Sequence, residues 1–234
     1  RSTLFPYTTL FRSGRRVMPT YQQHYSIPES IGAEVRILPL KAERNFLPDL
    51  KELENLVDKN TKMITINNPN NPTGSLIHKE ALEKIVEIAK SANAYILSDE
   101  VYRGISEDGS YMYSIVDVYE KGISVGSMSK IFSLAGLRMG WIATKDEEAL
   151  HKIYERRDYD TISCGVLDDK LASMALANKE KIFARNREIL LKNRRILNEW
   201  IDRTKGVSYV KPEAGTTALA PTRSEERRVG KECR

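Results

Sequence analysis

The chain is poor in cysteine: Cys164 and Cys233 are the only two in 234 residues. Two thiols cannot build a disulfide framework, and no Cys-x-x-Cys pair exists to hold a metal or run thiol exchange. That usage fits a reducing compartment, so a cytoplasmic location is expected. Long apolar runs are absent too. Nothing approaches 18 consecutive apolar residues, so no membrane-spanning helix and no membrane partner are expected. Histidine is scarce: His24, His78 and His151 lie far apart in no metal-ligand pattern and read as surface residues. The remainder is ordinary, 41% hydrophobic and 29% charged with 13 Gly and 9 Pro. It excludes a collagen-like or wholly disordered chain and is long enough for one large domain or two smaller ones.

The middle of the chain also lacks an excess of either charge. The formal net charge is +5. Residues 1–16 hold four Arg and no acid, and residues 222–234 hold five basic against three acidic residues, so the ends supply six charges and the rest carries −1. A basic character confined to the tips, with no aromatic interleaving, excludes a nucleic-acid reader. The tips themselves look foreign. Thr-Leu-Phe occurs twice within the first 13 residues, and the last dozen form a charge-dense run with no apolar face. Both resemble translated adapter sequence. Residues 1–16, expected to be disordered, and residues 221–234 are left out of the fold, and Cys233 goes with them.

Between the tips, apolar patterning alternates between two periods. Strands are expected at 33–40, 63–66, 95–97, 123–125 and 139–144, where short runs rich in Val, Ile and Leu stop at polar or Gly/Pro residues. Helices are expected at 49–58, with Leu50, Leu53, Leu56 and Val57 on one face, and at 78–92, with Leu82, Ile85, Val86 and Ala89 at helical spacing. Alternation of this kind predicts an α/β fold with a mainly parallel sheet. From about residue 145 helices dominate, at 147–159, 167–177 and 179–203, the last using Ile182, Ile189, Ile196, Leu197, Trp200 and Ile201. A final strand is expected at 207–210. The domain boundary therefore falls near 147, with a large domain over 17–147 and a smaller α+β one over 148–220. Met112, Met128 and Met139 read as packing residues, and Cys164 as a buried structural thiol.

The unusual residues sit where strands end, which is where open α/β sheets bind ligands. After the run at 63–66 comes Asn68-Pro69-Asn70-Asn71-Pro72-Thr73-Gly74, which two prolines and a glycine keep out of regular structure. After 95–97 comes Ser98-Asp99-Glu100-Val101-Tyr102. After 123–125 comes Ser127-Met128-Ser129-Lys130, then Gly136-Leu137-Arg138-Met139-Gly140. Taken singly these read as a turn, a helix cap and a solvated surface. A lysine just after two serines with an arginine eight residues on also fits an amine beside an anion site.

Taken together, the Asn-Pro-Thr-Gly at 71–74, the Asp-x-x-Tyr at 99–102, the Ser-x-Ser-Lys at 127–130 and the Gly-Leu-Arg-x-Gly at 136–140 resemble the class I/II aminotransferases, pyridoxal-phosphate enzymes of fold type I in the aspartate aminotransferase superfamily. The resemblance covers about residues 17–220. It implies a three-layer large domain that binds pyridoxal 5'-phosphate, followed by a partial small domain. It implies that Lys130 forms a Schiff base with the cofactor and then shuttles a proton. Asp99 would face the pyridine nitrogen, and Tyr102 and Asn71 the ring's phenolic oxygen. Ser127, Ser129 and Arg138 would hold the phosphate. Tyr21 would stack on the ring. Catalytic duty would fall to Lys130, Asp99 and Tyr102, with amino-acid and 2-oxo-acid substrates and a homodimeric parent.

Relative to that family the sequence lacks the opening Gly-rich segment and the late arginine that grips the substrate carboxylate. It reads as an internal fragment, with weak or no turnover and apolar surface left exposed. The shared motifs also leave the reaction open: a carbon–sulfur beta-lyase, an amino-acid decarboxylase and a cofactor-sensing module without turnover carry the same residues.

Overall fold

The computed structural model describes residues 20–220. The adapter-like ends expected at 1–16 and 221–234 lie outside the described residues, as does Cys233. Four short apolar runs become strands: β1 (Met63–Asn67), β2 (Tyr95–Asp99), β3 (Gly122–Ser127) and β4 (Gly140–Thr144). They form one mixed sheet in the order β1-β2-β3-β4. The first three run parallel and β4 returns antiparallel on β3. Parallel neighbours require a crossover. The helix α3 (Lys79–Ser91) lies within the first, and α4 (Ile115–Val118) within the second.

The main core follows from the helical period. Leu82, Ile85, Val86 and Ala89 of α3 are all buried. They meet Ile64 and Ile66 of β1, Ile96 of β2, Leu53 of α2 (Leu50–Leu56) and Ile115 of α4. Helix α2 starts where Asp49 Oδ1 accepts the N–H groups of Lys51 and Glu52 at 3.1 and 3.3 Å, which satisfies donors that the first turn leaves unpaired. A second cluster joins the loops after β2 and β3 to the later helices. Ile105, Met128, Ile131 and Phe132 pack with Ala172 and Ala175 of α6 (Val166–Ala177) and Phe183 of α7 (Lys179–Arg203). Met112 and Met128 are buried, and Met139 packs against this second cluster.

Several expectations need correction. The stretch 33–40 is not a strand. Ile37 and Leu38 are buried there, but Arg36 alone has a bridge position. Its guanidinium reaches the Leu56 carbonyl at 2.9 Å and Asp58 at 2.8 Å. The two buried residues are consecutive rather than alternating, and a strand also needs a ladder partner, which periodicity cannot supply. The stretch 207–210 likewise holds a single bridge at Val207. Two helices were not foreseen, α1 (Gln23–Ser30), which contains Pro28, and the one-turn α4. On α7 the expected apolar stripe is buried only in part: Ile201 is buried, but Ile189, Ile196 and Trp200 are about half exposed, and Phe183, outside that stripe, is buried instead.

The helix α5 (Glu147–Asp160) is tied to the sheet by its cap. Asp146 Oδ1 accepts the Ala149 N–H at 2.8 Å, and Oδ2 accepts the Tyr95 hydroxyl of β2 at 2.9 Å. Burial first, and then the Asp146 carboxylate, push the Tyr95 hydroxyl up to about 12. The Ala149 N–H, followed by the Tyr95 hydroxyl, holds the Asp146 carboxyl below its ordinary value of 3.8. The fold thus favours the charged carboxylate, so its contribution is complete above pH about 4 and fades as the pH falls through the lowered value. Asp146→Ala is expected to cost about 1 kcal/mol at pH 7. Urea unfolding of both proteins at pH 7 and at pH about 3 checks this, because the gap between them should narrow at the acid end.

Candidate active site

The register brings the carboxyl ends of β1 and β2 level, and β3 runs two residues further. Asn67 pairs with Asp99, and Asp99 pairs with Val125 two residues before Ser127. Beyond these ends lies a cleft of about 1230 Å³. All eight residues singled out from the sequence line it: Tyr21, Asn71, Asp99, Tyr102, Ser127, Ser129, Lys130 and Arg138. Ordinary small-molecule sites occupy about 300–1,000 Å³, so space for a ring, a phosphate and a substrate is present.

Asp99 closes β2 with its carboxylate divided between two partners. Oδ1 accepts the Val101 N–H at 3.1 Å. Oδ2 lies 3.3 Å from His24 Nε2, and both side chains are mostly shielded. His24 is therefore not the surface residue that its isolation in the sequence implied. It stands one turn after Tyr21, and the two rings meet edge to face with centroids 6.3 Å apart. The i, i+3 spacing of two aromatic rings was the available signal; a short helix containing a proline concealed it. His78 and His151 are exposed as expected.

Polar side chains hold the loop after β1. Asn68 Nδ2 donates to the Ile77 carbonyl at 3.0 Å, and Asn68 Oδ1 accepts the Ile77 N–H at 2.8 Å. Asn70 Nδ2 donates to Thr73 Oγ1 at 2.8 Å. Asn67 Oδ1 accepts the Asn71 N–H at 2.6 Å. Gly74 has φ +68°, and a Cβ there would lie 2.8 Å from the Thr217 carbonyl oxygen, so both the backbone angle and the close approach demand glycine. The Gly74 carbonyl accepts the N–H groups of Glu213 and Ala214. Tyr102 is buried, and Gly215 packs against its Cβ side.

The anion-binding side is more open. Ser127 Oγ accepts the Ser129 N–H at 3.2 Å. Lys130 and Arg138 are exposed on the cleft wall. Arg138 has φ +52°, a left-handed conformation that costs a non-glycine residue on the order of 1 kcal/mol and concentrates at functional sites. Its Nη1 donates to the Ala135 carbonyl at 2.8 Å, which leaves the other N–H groups of the fork for an anion. The far wall comes from α5 and its turn and includes Lys152, Arg156, Arg157 and Cys164. Cys164 is exposed rather than buried: the α5–α6 turn points it at the cleft instead of the core. Among the described residues no group of His, Cys, Asp and Glu is placed to hold a metal, and no helix is long and apolar enough to cross a membrane.

An acid at a strand end, a lysine amine, two hydroxyls with a guanidinium, and two tyrosines in one cleft match the chemistry of a phosphorylated pyridine aldehyde. The amine would suit the aldehyde, the acid the ring nitrogen, and the hydroxyls and guanidinium the phosphate.

The chain is similar to known proteins of one family. The family model of aminotransferase class I and II matches residues 11–231. The aspartate aminotransferase of Pyrococcus horikoshii is 33% identical over 199 residues, which cover 81% of this chain and 51% of that protein. Capreomycidine synthase of Streptomyces vinaceus is 26% identical over 202 residues, 86% of this chain and 52% of that protein. Among solved structures, a PLP-dependent aminotransferase from Streptococcus suis superposes with a TM-score of 0.85 at 44% identity, covering 94% of this chain and 56% of that one. The chain spans about half the length of the curated relatives it matches.

Trp141, which the sequence reading passed over, lies across the rim of the cleft and packs edge to face on Phe132. It sits opposite Gly126 in the β3–β4 ladder, where an added Cβ would come within 2.6 Å of the indole Nε1. Gly126→Ala should push the indole off the strand, with a cost of about 1–3 kcal/mol. A shifted tryptophan emission together with a lower urea midpoint is the expected outcome. Emission identical to the parent protein would place the ring elsewhere.

Proposed function

The chain belongs to the class I and II aminotransferase family, and from that premise we propose that it moves an amino group between an amino acid and a 2-oxo acid, with Lys130 as the residue that takes up the cofactor. Members of this family use pyridoxal 5'-phosphate. One observation carries the reading: eight residues drawn from separate parts of the sequence line a single cleft at the ends of β1, β2 and β3.

When bound, pyridoxal phosphate supplies an electron sink for a bond broken at the substrate's alpha carbon. The rest is the work of this chain. Lys130 would take up the cofactor and, when free, could hold and move a proton at Nζ. Asp99, whose Oδ2 lies 3.3 Å from His24, would hold a proton at the ring nitrogen, with His24 orienting that carboxylate. Asn71 and Tyr102 would donate to the phenolic oxygen. Ser127, Ser129 and Arg138 would hold the phosphate, and Tyr21 would cover one face of the ring. The Asn68–Ile77 and Asn70–Thr73 bonds brace that wall, so the donors would need little rearrangement when charge develops.

The acting protein is read as a homodimer. The exposed apolar side chains at the α5–α6 corner support a partner surface there, among them Tyr159 at 90%, Val166 at 84% and Leu167 at 79% exposure.

The test combines spectroscopy and mapping. Added pyridoxal phosphate should give a visible absorbance band, and borohydride should then fix the label on the peptide that contains Lys130. Lys130→Ala should abolish both. A label at another lysine, or an unchanged band in Lys130→Ala, refutes the assignment. Asp99→Asn should retain the label but lower transamination roughly 100- to 1,000-fold, measured with a panel of amino acids and 2-oxo acids. Parental turnover in Asp99→Asn would give the ring nitrogen another partner.

A further inference from the structure

We infer that Asn67 is a positioning residue that ties the loop bearing Asn71 to the backbone of Asp99, and so sets the distance between the two groups that grip opposite edges of the cofactor ring. The inference rests on the functional reading above and adds a residue that the sequence motifs do not include.

Asn67 is the last residue of β1, is buried, and lines the cleft. Both halves of its amide are used, each toward a different wall of the site. Oδ1 accepts the Asn71 N–H at 2.6 Å. Nδ2 donates to the Asp99 carbonyl oxygen at 3.0 Å. The ladder places Asn67 directly opposite Asp99, so the second bond is short by construction. The same Asp99 carbonyl accepts the Asn68 N–H at 2.9 Å. The first bond has a different character. Asn71 lies outside the ladder in a loop that carries two cis prolines, and its N–H is met by a side chain from four residues back.

The residue type follows from the demand. One side chain must accept from one wall and donate to the other at a fixed separation. Asparagine carries a carbonyl and an NH₂ on one planar group. Aspartate would accept twice and oppose the Asp99 carbonyl. Serine would not span the two partners, and leucine would do neither. The Asn68 side chain bonds to the chain just after the loop, and the Asn70 amide donates within the loop. The Asn67 side chain joins the loop to the neighbouring strand's functional residue, beside the backbone bond from Asn68.

A residue that merely stabilised the fold would leave the chemistry of the bound cofactor unchanged. A residue that places Asn71 would not. A donor on the phenolic oxygen competes for the proton shared between that oxygen and the lysine-derived nitrogen. Pulling it away raises the pH at which that proton is lost.

The experiment uses the full chain, with Asn67→Ala, Asn67→Asp and Asn71→Ala as variants and pyridoxal 5'-phosphate as the probe. Three quantities are read: the exchange rate of the Asn71 backbone amide without cofactor, the dissociation constant from the visible band, and the pH midpoint of that band. Asn67→Ala should speed Asn71 exchange at least about tenfold and weaken binding about tenfold, the scale of one hydrogen bond. Its midpoint should move upward by roughly half a unit to one unit, in the same direction as in Asn71→Ala. Asn67→Asp should keep Asn71 exchange slow, because the acceptor remains, and still weaken binding. An unmoved midpoint in Asn67→Ala, with binding lost only in step with urea stability, overturns the inference alone. Failure of the parent chain to take a label at Lys130 overturns the functional reading, and this inference falls with it.

Discussion

Everything at the site depends on where the three parallel strands end: β1 and β2 stop level, and β3 runs two residues further. In a parallel ladder the hydrogen bonds run out together at the carboxyl end, and the next residues must find other partners for their backbone groups. Here the following strand and its loop supply them. The Asp99 carbonyl takes the Asn68 N–H and the Asn67 side chain, and the Val125 carbonyl takes the Glu100 N–H at 2.8 Å. The chain can therefore leave each strand at once, and Asn71, Asp99 and Lys130 reach the same cleft from three directions.

The cost of that arrangement is polar burial, and the structure offsets it bond by bond. Glu100 follows the cleft acid directly but faces inward and is buried. Its Oε1 accepts the Ile115 N–H at 2.8 Å, at the start of α4, and its Oε2 accepts the Ser124 hydroxyl of β3 at 2.8 Å. One carboxylate thus pins a crossover helix to the sheet while its neighbour is left facing the site. Tyr119 closes the same region by donating its hydroxyl to the Ala94 carbonyl at 2.7 Å; burial pushes that hydroxyl up to about 12. A buried carboxylate or amide is tolerable only when every such partner is present. The floor of the cleft is accordingly rigid, whereas the wall made by Arg138 and α5 is exposed.

The sequence was most legible where one local rule decided the outcome. The face of α3 was readable because four apolar residues at helical spacing leave no other way to bury themselves, and the extent of α7 because no proline or glycine interrupts it. The site was readable for a different reason. Its residues are short motifs at strand ends, where side-chain chemistry outweighs packing. Reading failed where a partner distant in the chain decided. Residues 33–40 alternate like a strand but have no ladder. Cys164 is small and apolar like a core residue, yet the α5–α6 turn exposes it. His24 is 75 residues from Asp99, and no local spacing announces a contact of that length. Asn67 stood in plain view beside the motif, but nothing in its neighbours indicates that its amide joins two walls.

By itself, then, the sequence determined the kind of fold, the four strands of the sheet with the helices α2, α3, α5, α6 and α7, and the short motifs whose residues line the cleft. Those follow from side-chain period, backbone restriction at proline and glycine, and the few groups able to hold an anion, an imine or a ring nitrogen. Only the tertiary structure decided how these residues meet. It set the register that levels Asn67 with Asp99, it turned His24 onto that acid, and it chose Glu100 for the interior and Asp99 for the cleft. The physical reason is that hydrogen bonds and burial between distant segments depend on a register, and a register is a property of the assembled sheet rather than of any one segment.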